Sequence, residues 1–465
     1  MNELTINLNS KEGTPLYEQI YRYIKQDIQN GRIASGEKLP STRQLSRHLD
    51  VSRSTVELAY EQLLSEGYVE AEPCRGYFVS DIDGLYRLER PEKAGLTERK
   101  REEEKYLYDF SPYGVDLNSF PYNVWKRLSR ESLQDDRTEL FRLGDPQGEY
   151  GLRRAISSYL YQARGVNCEP EQIVVGAGND YLLMLLTAII GPEHKVALEN
   201  PTYRQAYRLF ENLSYEVCTV DTDERGMQIT KLEESKANLA FVMPSHQYPL
   251  GIVMPIRRRL ELLEWAGREK GRYIIEDDYD SEFRYKGRPI PALQGYDRQD
   301  KVIYTGTFSK SIAPGLRMGY MVLPKPILQL YQKKCRFLNS TVSKVDQLVV
   351  QRFIEEGYYE RHLNKTRALY KNRHDMLMNC LKEMFGSLRV SGENAGVHLL
   401  LHFGNKNEQE LIQKAADAGV RVYGLSEYYV GEGARKEAVI LLGYANMGGQ
   451  KIKEAVELLK DAWKE

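Results

Sequence analysis

The sequence predicts two folded units of different class, a small α+β unit at the N-terminus and a much larger α/β unit after it. Three observations support this division. The chain has 465 residues, which is too long for one small module. A heavily charged stretch at residues 87–105 interrupts it. Before that stretch the apolar pattern is mainly helical, whereas after it short apolar strands run into turns of small residues.

Composition and charge exclude several classes of protein. Apolar residues make up 42% of the chain and charged residues 28%, so a large core can form and wholesale disorder is excluded. The 65 basic and 66 acidic residues give a formal net charge of −1. The total charge therefore gives no reason to expect a nucleic-acid or membrane partner, and any such partner has to be recognised by a local patch.

The compartment and the metal content follow from a few residue types. The chain begins with MNELTINLNS, which has no basic or apolar signal region, and the most apolar run, residues 182–190, is far shorter than the ~20 residues of a membrane helix. The five scattered cysteines form no CxxC pair, and the seven histidines show no metal-binding spacing. We therefore expect a cytoplasmic protein with free thiols and without a metal site.

The charged stretch marks the boundary between the units. Residues 87–105 read RLERPEKAGLTERKREEEK, in which 13 of 19 residues are charged. Such a segment cannot bury a face of its own and is typical of a solvated linker, although an exposed helix of the large domain is an alternative. We place the first domain at residues 12–80, the linker at 81–107 and the second domain at 108–465.

The first domain has the element order of a winged helix-turn-helix. An amphipathic helix is predicted over residues 16–30, with apolar residues at every third or fourth position. Ser41 is a good N-cap for a second helix, and Ser52 opens a third after a short turn. Two short strands, at residues 68–71 and 76–79, flank the turn that follows. Helix, helix, tight turn, helix and hairpin form a winged helix-turn-helix.

In that geometry the second helix of the helix-turn-helix pair enters the major groove of DNA, and its first residues meet base edges. These residues are short hydrogen-bonding side chains around one arginine, which suit phosphates and bases. They are Ser52, Arg53, Ser54 and Thr55. Arg43 on the preceding helix, and Arg75 with Gly76 at the tip of the wing, suit contacts to the DNA backbone.

The positive charge of this domain is local. Residues 11–80 carry a formal net charge of −1, but residues 38–53 carry +3. That stretch holds Lys38, Arg43, Arg47 and Arg53 against Asp50. The excess of positive charge therefore lies on the face that is expected to contact DNA. A winged helix that contacts protein, with arginines that only solvate a face, is the alternative.

The same segment resembles the GntR superfamily of bacterial regulators. The resemblance is carried by LPSTRQLSRHLDVSRSTVELAYEQLLSEGYVEAEPCRGYFV, residues 39–79. It implies DNA contacts from Arg43, Arg53, Ser54, Thr55 and Gly76.

Two segments of the second domain place reactive groups after predicted strands. The segment RYIIEDDYDSEF contains an apolar strand followed by Asp277 and Asp278. The carboxyl ends of strands are where open α/β sheets place ligands, and a carboxylate there can pair with a cationic ligand nitrogen. The segment VIYTGTFSKSIAPGLRMGYMV contains a strand and then a loop of small residues with Lys310. A partly desolvated lysine can form an imine with an aldehyde.

Phosphate-binding groups complete the pattern. Thr307, Ser309 and Arg317 can bind a phosphate, the hydroxyls as donors and the arginine as a bidentate fork. In IVVGAGNDYLLMLLTAII a strand passes through a glycine turn into a helix, whose first N–H groups favour an anion. Each signal is weak alone, since a lone lysine is usually a surface charge. Together they indicate a ligand with a phosphate, a cationic ring nitrogen and an aldehyde, which is pyridoxal 5′-phosphate.

The order of glycine loop, aspartate, lysine and arginine resembles fold-type I aminotransferases, which depend on pyridoxal 5′-phosphate (PLP). Further matches are FPYNVWKRL, GDPQGEYGLRRAI, ENPTYRQAY, PSHQYPLGIVMP and ENAGVHLLL. The resemblance implies a Schiff base at Lys310, a pyridine partner at Asp277, Tyr279 near the ring hydroxyl and Tyr203 stacked on the ring. It implies that the phosphate is surrounded by Asn179, Asp180, Thr307, Ser309 and Arg317.

A GntR-like winged helix, a charged linker and an aminotransferase-like domain together resemble the MocR family of regulators, in the GabR-like branch. EDDYDSEF, PSHQYP and TFSKSIAPGLR are close matches to that branch. The resemblance implies a homodimer, usually head-to-tail, that binds double-stranded operator DNA and PLP. It also implies control of genes for amino-acid, cell-wall-precursor or vitamin B6 metabolism.

Three positions depart from the aminotransferase pattern. The strand AVILLGYANMGG holds Asn446 where aminotransferases carry the arginine that clamps the substrate carboxylate, and an amide offers no charged fork. Tyr248 lies where an asparagine near the ring hydroxyl is usual. Asp180 adds a negative charge to the phosphate loop, which is expected only if the side chain points away.

We expect a regulator whose large domain senses PLP itself, or PLP with an amine ligand, through a Schiff base at Lys310, and does not turn over a substrate. An active aminotransferase with a fused DNA-binding domain is the main alternative, and a dimerisation scaffold with an empty pocket is a third. Asn446 argues against ordinary transamination. The intact Lys310, Asp277 and Arg317 argue against the scaffold.

Overall fold

The computed structural model of the chain has two compact units, divided between residues 102 and 103. The structure describes residues 6, 8, 13–81, 106–133, 138–285, 290–386, 388–393, 395–431 and 437–464. Most of the linker predicted at residues 81–107 lies outside the described residues. None of the described helices is both long enough and apolar enough to cross a membrane.

The N-terminal unit contains three helices and a β-hairpin around one core, as the sequence predicts. Its elements are α1 (Leu16–Gln29), α2 (Thr42–His48), α3 (Arg53–Ser65), β1 (Val69–Glu72) and β2 (Gly76–Val79). The two strands pair antiparallel. β1 begins one residue later than predicted, because the Tyr68 N–H donates to the Leu63 carbonyl at the end of α3. The core includes Ile20, Ile24, Leu45, Val56, Tyr60, Leu63, Val69 and Val79.

Two serines determine where the helices of the helix-turn-helix begin. The Ser41 hydroxyl accepts a hydrogen bond from the Gln44 N–H at 3.2 Å, and the Gln44 side chain accepts one from the Ser41 N–H. The Ser52 hydroxyl accepts from the Thr55 N–H at 3.2 Å. An N-cap side chain satisfies an N–H group that the helix itself leaves unpaired. Ser41 therefore starts α2, and Ser52 starts α3, as predicted.

The large unit contains the remaining described elements. Its strands are β3 (Tyr108–Asp109), β4 (Ile173–Gly176), β5 (Lys195–Asn200), β6 (Glu216–Asp223), β7 (Gly226–Met227), β8 (Leu239–Val242), β9 (Tyr273–Asp278), β10 (Val302–Thr307), β11 (Gly319–Val322), β12 (Arg389–Ser391), β13 (His398–His402), β14 (Val420–Arg421), β15 (Tyr423–Gly424) and β16 (Val439–Gly443). Its helices are α4 (Tyr122–Ser132), α5 (Tyr150–Arg164), α6 (Asn179–Ile190), α7 (Arg204–Asn212), α8 (Ile229–Glu234), α9 (Ile256–Arg268), α10 (Phe308–Ser311), α11 (Lys325–Lys334), α12 (Lys344–Glu355), α13 (Tyr358–Phe385), α14 (Glu408–Asp417) and α15 (Gly449–Trp463).

An eight-stranded sheet, in the order β4-β11-β10-β9-β8-β5-β6-β7, forms the centre of this unit. The strands β10, β9, β8, β5 and β6 run parallel, and β11 runs antiparallel between β4 and β10. Both faces of the sheet are covered. Ile303 and Tyr304 are consecutive residues of β10, so their side chains point to opposite faces, and they belong to two different apolar cores. Strands buried on both faces are nearly continuous apolar runs, and their carboxyl ends meet at one edge.

A second sheet lies in the C-terminal part of the unit. It is antiparallel, in the order β12-β13-β16-β15, and packs with α13, α14 and α15 around a core that includes Leu377, Leu411 and Ile440. The short strand β3 pairs with β14. The Phe110 carbonyl accepts from the Gly443 N–H at 2.8 Å. The beginning of the large unit is therefore held by its C-terminal sheet.

Local structure differs from the sequence expectation at two strand ends. β9 continues through both aspartates, and β10 continues through Thr307. Lys310 lies in the one-turn helix α10 and not in a loop. The Thr307 hydroxyl accepts from the Ser309 N–H at 3.1 Å, and this N-cap starts the turn directly at the end of the strand.

Candidate ligand pocket and nucleic-acid interface

A cavity of about 140 Å³ lies at the carboxyl ends of the parallel strands. All nine residues predicted to surround a cofactor line it. They are Asn179, Asp180, Tyr203, Asp277, Tyr279, Thr307, Ser309, Lys310 and Arg317. They follow or end β4, β5, β9 and β10 or precede β11, so the sheet order brings them to one edge. Pro112, Tyr113, Met243 and Tyr248 also line the cavity.

The two neighbouring acids of β9 have different surroundings, because successive side chains of a strand point to opposite faces. Asp277 lines the cavity and is 6% exposed. Its Oδ1 accepts from Asn179 Nδ2 at 3.0 Å and from Thr305 Oγ1 at 3.1 Å. Asp278 instead pairs with Arg164 at 2.9 Å in the core. Burial raises the pKa of Asp277 to about 7, so a cationic nitrogen beside it would favour its ionised form.

Lys310 lines the pocket as a partly buried amine. Its surroundings differ from those of a solvent-exposed lysine. Its Nζ donates to the Pro112 carbonyl at 3.0 Å and lies 5.8 Å from the centre of the Tyr113 ring. Burial lowers the pKa of Lys310 to about 8, and the charge of Asp280 partly opposes this shift. A much larger fraction of this amine is therefore neutral, and nucleophilic, near pH 7 than of an exposed lysine.

The end of the pocket that is predicted to bind the phosphate contains an arginine paired with an aspartate. Arg317 Nη2 donates to Asp180 Oδ2 at 3.0 Å, and both side chains are more than half exposed. The negative charge of Asp180, which is unusual beside a phosphate, is paired here with the Arg317 guanidinium. Gly178 has a φ of +89°, and a Cβ there would lie 2.9 Å from Arg317 Nη2. A glycine is required for the arginine to lie against this turn.

Tyrosines form much of the remaining wall. The Tyr248 hydroxyl donates to the Tyr428 hydroxyl at 2.8 Å, and the Tyr113 hydroxyl lies 3.4 Å from Tyr428. Tyr203 meets the Tyr248 ring edge-on at 6.2 Å. Burial raises the pKa of Tyr203, Tyr248 and Tyr428, so these groups are neutral phenols. Sequence reasoning missed Pro112, Tyr113 and Met243 in the lining and Tyr428 behind Tyr248, and no motif singled these positions out.

Behind Tyr279 lies a buried pair that sequence reasoning did not single out. The Tyr279 hydroxyl is 2.9 Å from His246 Nδ1. The two carboxylate oxygens of Asp280 lie 3.1 and 3.0 Å from the same nitrogen. His246 and Asp280 are 2% and 1% exposed. Both residues stand in quoted motifs, PSHQYPLG and EDDYDSEF, but their contact depends on the fold.

Asn446, which replaces the expected carboxylate-binding arginine, does not line the cavity. Its Nδ2 donates to the Asp109 carbonyl at 3.1 Å. A Cβ at Gly114 would lie 2.7 Å from Asn446 Cγ. The asparagine therefore fixes the chain near β3.

Most of the predicted DNA-contacting residues lie in two places in the N-terminal unit, at the start of α3 and at the tip of the β1–β2 hairpin. Ser52, Arg53 and Ser54 are exposed. Arg53 Nε donates to Glu57 at 2.7 Å, and Arg75 pairs with Glu72 beside Gly76. The exposed fractions are 65% for Arg53 and 69% for Arg75. Exposed ion pairs are weak, so both guanidinium groups can exchange their carboxylates for phosphates.

Thr55 and Arg43 complete this set. Thr55 is partly buried, with Oγ1 2.7 Å from Ser52 Oγ, and Arg43 is exposed on α2. A second cation, Lys38, also lies near the hairpin. Its Nζ is 5.8 Å from the centre of the Phe78 ring, and the Arg75 guanidinium is 5.3 Å from the same centre.

The chain matches two family descriptions. "Bacterial regulatory proteins, gntR family" matches residues 16–79, and "Aminotransferase class I and II" matches residues 113–459. The uncharacterized HTH-type transcriptional regulator YdeL of Bacillus subtilis (strain 168) is 40% identical over 467 residues, covering 99% of this chain and 100% of the relative. The HTH-type pyridoxine biosynthesis transcriptional regulator PdxR of Corynebacterium glutamicum is 31% identical over 460 residues, with 99% and 98% coverage. The probable rhizopine catabolism regulatory protein MocR of Rhizobium meliloti is 30% identical over 472 residues, with 98% and 95% coverage.

Solved structures confirm the fold of the large unit. An archaeal alanine:glyoxylate aminotransferase superposes with a TM-score of 0.69 at 23% identity, covering 76% of this chain and 90% of the other. The kynurenine aminotransferase of Pyrococcus horikoshii superposes with a TM-score of 0.68 at 25% identity, covering 78% and 92%.

Proposed function

Because the chain belongs to the MocR family, in which a GntR-type helix-turn-helix domain is joined to an aminotransferase-like domain, we propose that this DNA-binding transcriptional regulator senses PLP, alone or with an amine ligand. We place the DNA-binding domain at residues 12–80, the linker at 81–107 and the sensing domain at 108–465. The matches at residues 16–79 and 113–459 support these limits.

The observation that carries the proposal is that one cavity joins Lys310, Asp277 and Arg317. The residues fit the three reactive parts of PLP. Asp277 offers a buried carboxylate to the ring nitrogen. Arg317 and the turn at Gly178 offer donors to the phosphate, once Arg317 exchanges Asp180 for it. When bound, PLP supplies an aldehyde for an amine and an electron-withdrawing ring.

Lys310 would give up an existing contact to hold the aldehyde. We use the name strap for residues 108–119, which follow the linker in sequence. The strap is held at Phe110 by Gly443 and at Asp116 by Arg373 at 2.8 Å, whereas Pro112 between them accepts from Lys310. If the amine condensed with the aldehyde, two of its hydrogens would leave with the aldehyde oxygen as water, so loading the pocket would compete with the hydrogen bond that Nζ now donates to Pro112. We propose this competition as the first step by which occupancy reaches the linker.

An active aminotransferase with a fused DNA-binding domain is the second candidate. The fold and the intact pair of Lys310 and Asp277 favour it. Among the described residues that line the cavity, the basic ones are Lys310 and Arg317, which the proposal assigns to the aldehyde and the phosphate. A substrate carboxylate would then be buried without a cation of its own, which is unfavourable. This supports sensing over turnover.

The proposal extends to the assembly and its compartment. We propose a head-to-tail homodimer on double-stranded operator DNA, supported by large exposed apolar side chains that a second copy would cover. They include Phe141, Leu143 and Phe337. A cytoplasmic location agrees with five cysteines that form no disulfide.

Titration of the full chain with PLP tests the proposed ligand. We expect a visible absorbance band in the wild type that borohydride reduction fixes to Lys310, as read by peptide mass. Lys310→Ala should lose the band, while Lys325→Ala, at an exposed lysine of α11, should keep it. Absence of the band in the wild type, or the same band in Lys310→Ala, would contradict the proposal.

A further inference from the structure

Three polar side chains next to the pocket form a cluster whose role the proposed function leaves unassigned. His246 follows β8, and Tyr279 and Asp280 follow β9. Asp280 and the Tyr279 hydroxyl both lie within 3.1 Å of His246 Nδ1. Tyr279 lines the cavity, whereas His246 and Asp280 are almost fully buried behind it. A carboxylate and a phenol therefore meet at one nitrogen of an imidazole, and of the three groups the phenol lines the cavity.

The chemistry of the shared nitrogen decides which group donates. A carboxylate only accepts, so the nitrogen that it faces carries the proton. We infer that this single N–H is shared between the Asp280 carboxylate and the Tyr279 oxygen, which then accepts. The Tyr279 hydrogen is thereby turned away from the histidine and is available to an acceptor. The proton positions are inferred from this network.

The other side of His246 agrees with this tautomer. Its Nε2 is buried without a hydrogen-bond partner, and a Cβ on Gly251 would lie 3.3 Å from it. A bare lone pair is easier to leave unpaired there than an N–H group. His398, with its ring 5.5 Å away, donates from Nε2 to the Pro249 carbonyl at 2.8 Å, so it also presents an unprotonated nitrogen, Nδ1.

The backbone is shaped for this cluster. Gly396 has a φ of +78°, and a Cβ there would lie 2.0 Å from His246 Cε1 and 2.9 Å from an Asp280 carboxylate oxygen. No side chain fits between the C-terminal sheet segment and the pair. Burial and the charge of Asp280 raise the pKa of Tyr279, which keeps the phenol protonated and able to donate.

We propose that His246 and Asp280 are positioning residues that hold Tyr279 as a hydrogen-bond donor to the ring oxygen of the bound ligand. This inference rests on the proposed function, because the ring hydroxyl of PLP is the oxygen concerned. It assigns a role to a histidine and a carboxylate that touch neither the aldehyde nor the phosphate. Their effect on the ring oxygen passes through Tyr279, and Asp280 in addition raises the pKa of Lys310 through its charge.

Binding of two ligands to the full chain tests the proposal. The probes are PLP and its analogue without the ring hydroxyl, 3-deoxypyridoxal 5′-phosphate, and the measurement is Kd by calorimetry. For His246→Ala we expect a Kd for PLP raised about tenfold, the size of one hydrogen bond at about 1.4 kcal/mol. The Kd for the analogue should change by less than about twofold, since it has no oxygen for Tyr279. His246→Asn, whose amide N–H can replace Nδ1–H, should recover most of the loss.

Equal losses of affinity for both ligands would show that His246 has a merely structural role and would overturn the proposal. An unchanged Kd for both ligands would also overturn it. A wild type that binds neither compound would instead overturn the proposed function. If His246→Ala does not fold, as judged by thermal unfolding, the test moves to Asp280→Asn, which keeps the shape of the side chain. Because Asp280 also raises the pKa of Lys310, an effect common to both ligands, the quantity compared is the Kd for PLP divided by the Kd for the analogue, which Asp280→Asn should raise. An unchanged ratio would contradict the proposal.

Discussion

The two regions expected to bind ligands hold their charges in opposite ways. Arg53 and Arg75 at the DNA face are 65% and 69% exposed and pair with nearby glutamates. Asp277 and Lys310 in the pocket lose solvent, and burial moves the pKa values of both groups toward neutrality, to about 7 and about 8. The DNA face should therefore respond to salt, whereas the pocket should respond to pH.

The largest expected effect is on the DNA side. Arg53→Ala removes a guanidinium from the start of α3, and each lost contact of this type weakens binding by about 1–3 kcal/mol, twice over in a dimer. We expect operator binding to fall by at least about a hundredfold in a gel-shift or fluorescence titration, with PLP binding unchanged. The salt dependence of the remaining binding should be weaker.

Arg22 provides a matched control for that variant. It is also 65% exposed and pairs with a glutamate four residues away, Glu18, but it lies on α1. Arg22→Ala should leave operator binding within about twofold of the wild type, since exposed pairs contribute little. Equal losses from the two variants would show that bulk charge, and not the helix start, determines binding.

The next effect concerns the buried carboxylate of the pocket. Asp277→Asn keeps the shape of the side chain but removes the charge that would pair with the ring nitrogen. We expect the Kd for PLP to rise at least about tenfold, as for the loss of one charged hydrogen bond. Asp278→Asn is not a suitable control, because Asp278 forms a buried pair with Arg164. Asp346→Asn, at an exposed aspartate of α12 that does not line the cavity, should bind PLP normally.

The pH dependence of the rate of PLP capture distinguishes a buried lysine from an exposed one. Lys310 reacts as the neutral amine, so the rate of PLP capture should rise with pH and level off above its pKa of about 8. An exposed lysine would continue to gain reactivity up to about pH 10. The charge of Asp280 raises the pKa of Lys310, so Asp280→Asn should move the midpoint to lower pH. Stopped-flow absorbance measures both profiles, and a midpoint near 10 in the wild type would contradict the assigned burial of Lys310.

The smallest expected effect concerns the local stability of the DNA-binding unit. Ser41→Ala removes the N-cap of α2 and should destabilise it by about 1 kcal/mol. Faster hydrogen exchange of the α2 amides in the full chain measures this effect. Ser65→Ala, at the exposed end of α3, should leave α2 exchange unchanged. Pocket amides should not respond to either change.

The features that could be predicted from the sequence are the helix starts and the residues at strand ends. Ser41 and Ser52 begin their helices where predicted, because N-capping depends only on neighbouring residues. The residues expected around a cofactor share one cavity because they lie at strand ends, and parallel strands end at one edge of a sheet.

Contacts between distant segments could not be predicted in the same way. Pro112 and Tyr113 reach the pocket only because β3 pairs with β14, more than 300 residues away. His246 and Asp280 were visible in motifs, but their shared hydrogen bond depends on neighbouring strands. The pairing of Asp180 with Arg317 likewise joins positions 137 residues apart.

The most direct test of the account measures operator binding by the full chain with and without PLP, in the wild type, Lys310→Ala and Lys325→Ala. We predict that PLP changes the affinity or the footprint in the wild type and in Lys325→Ala, and that Lys310→Ala no longer responds while still binding DNA. An equal change of operator binding by PLP in all three proteins, or in none of them, would contradict the sensing role of Lys310.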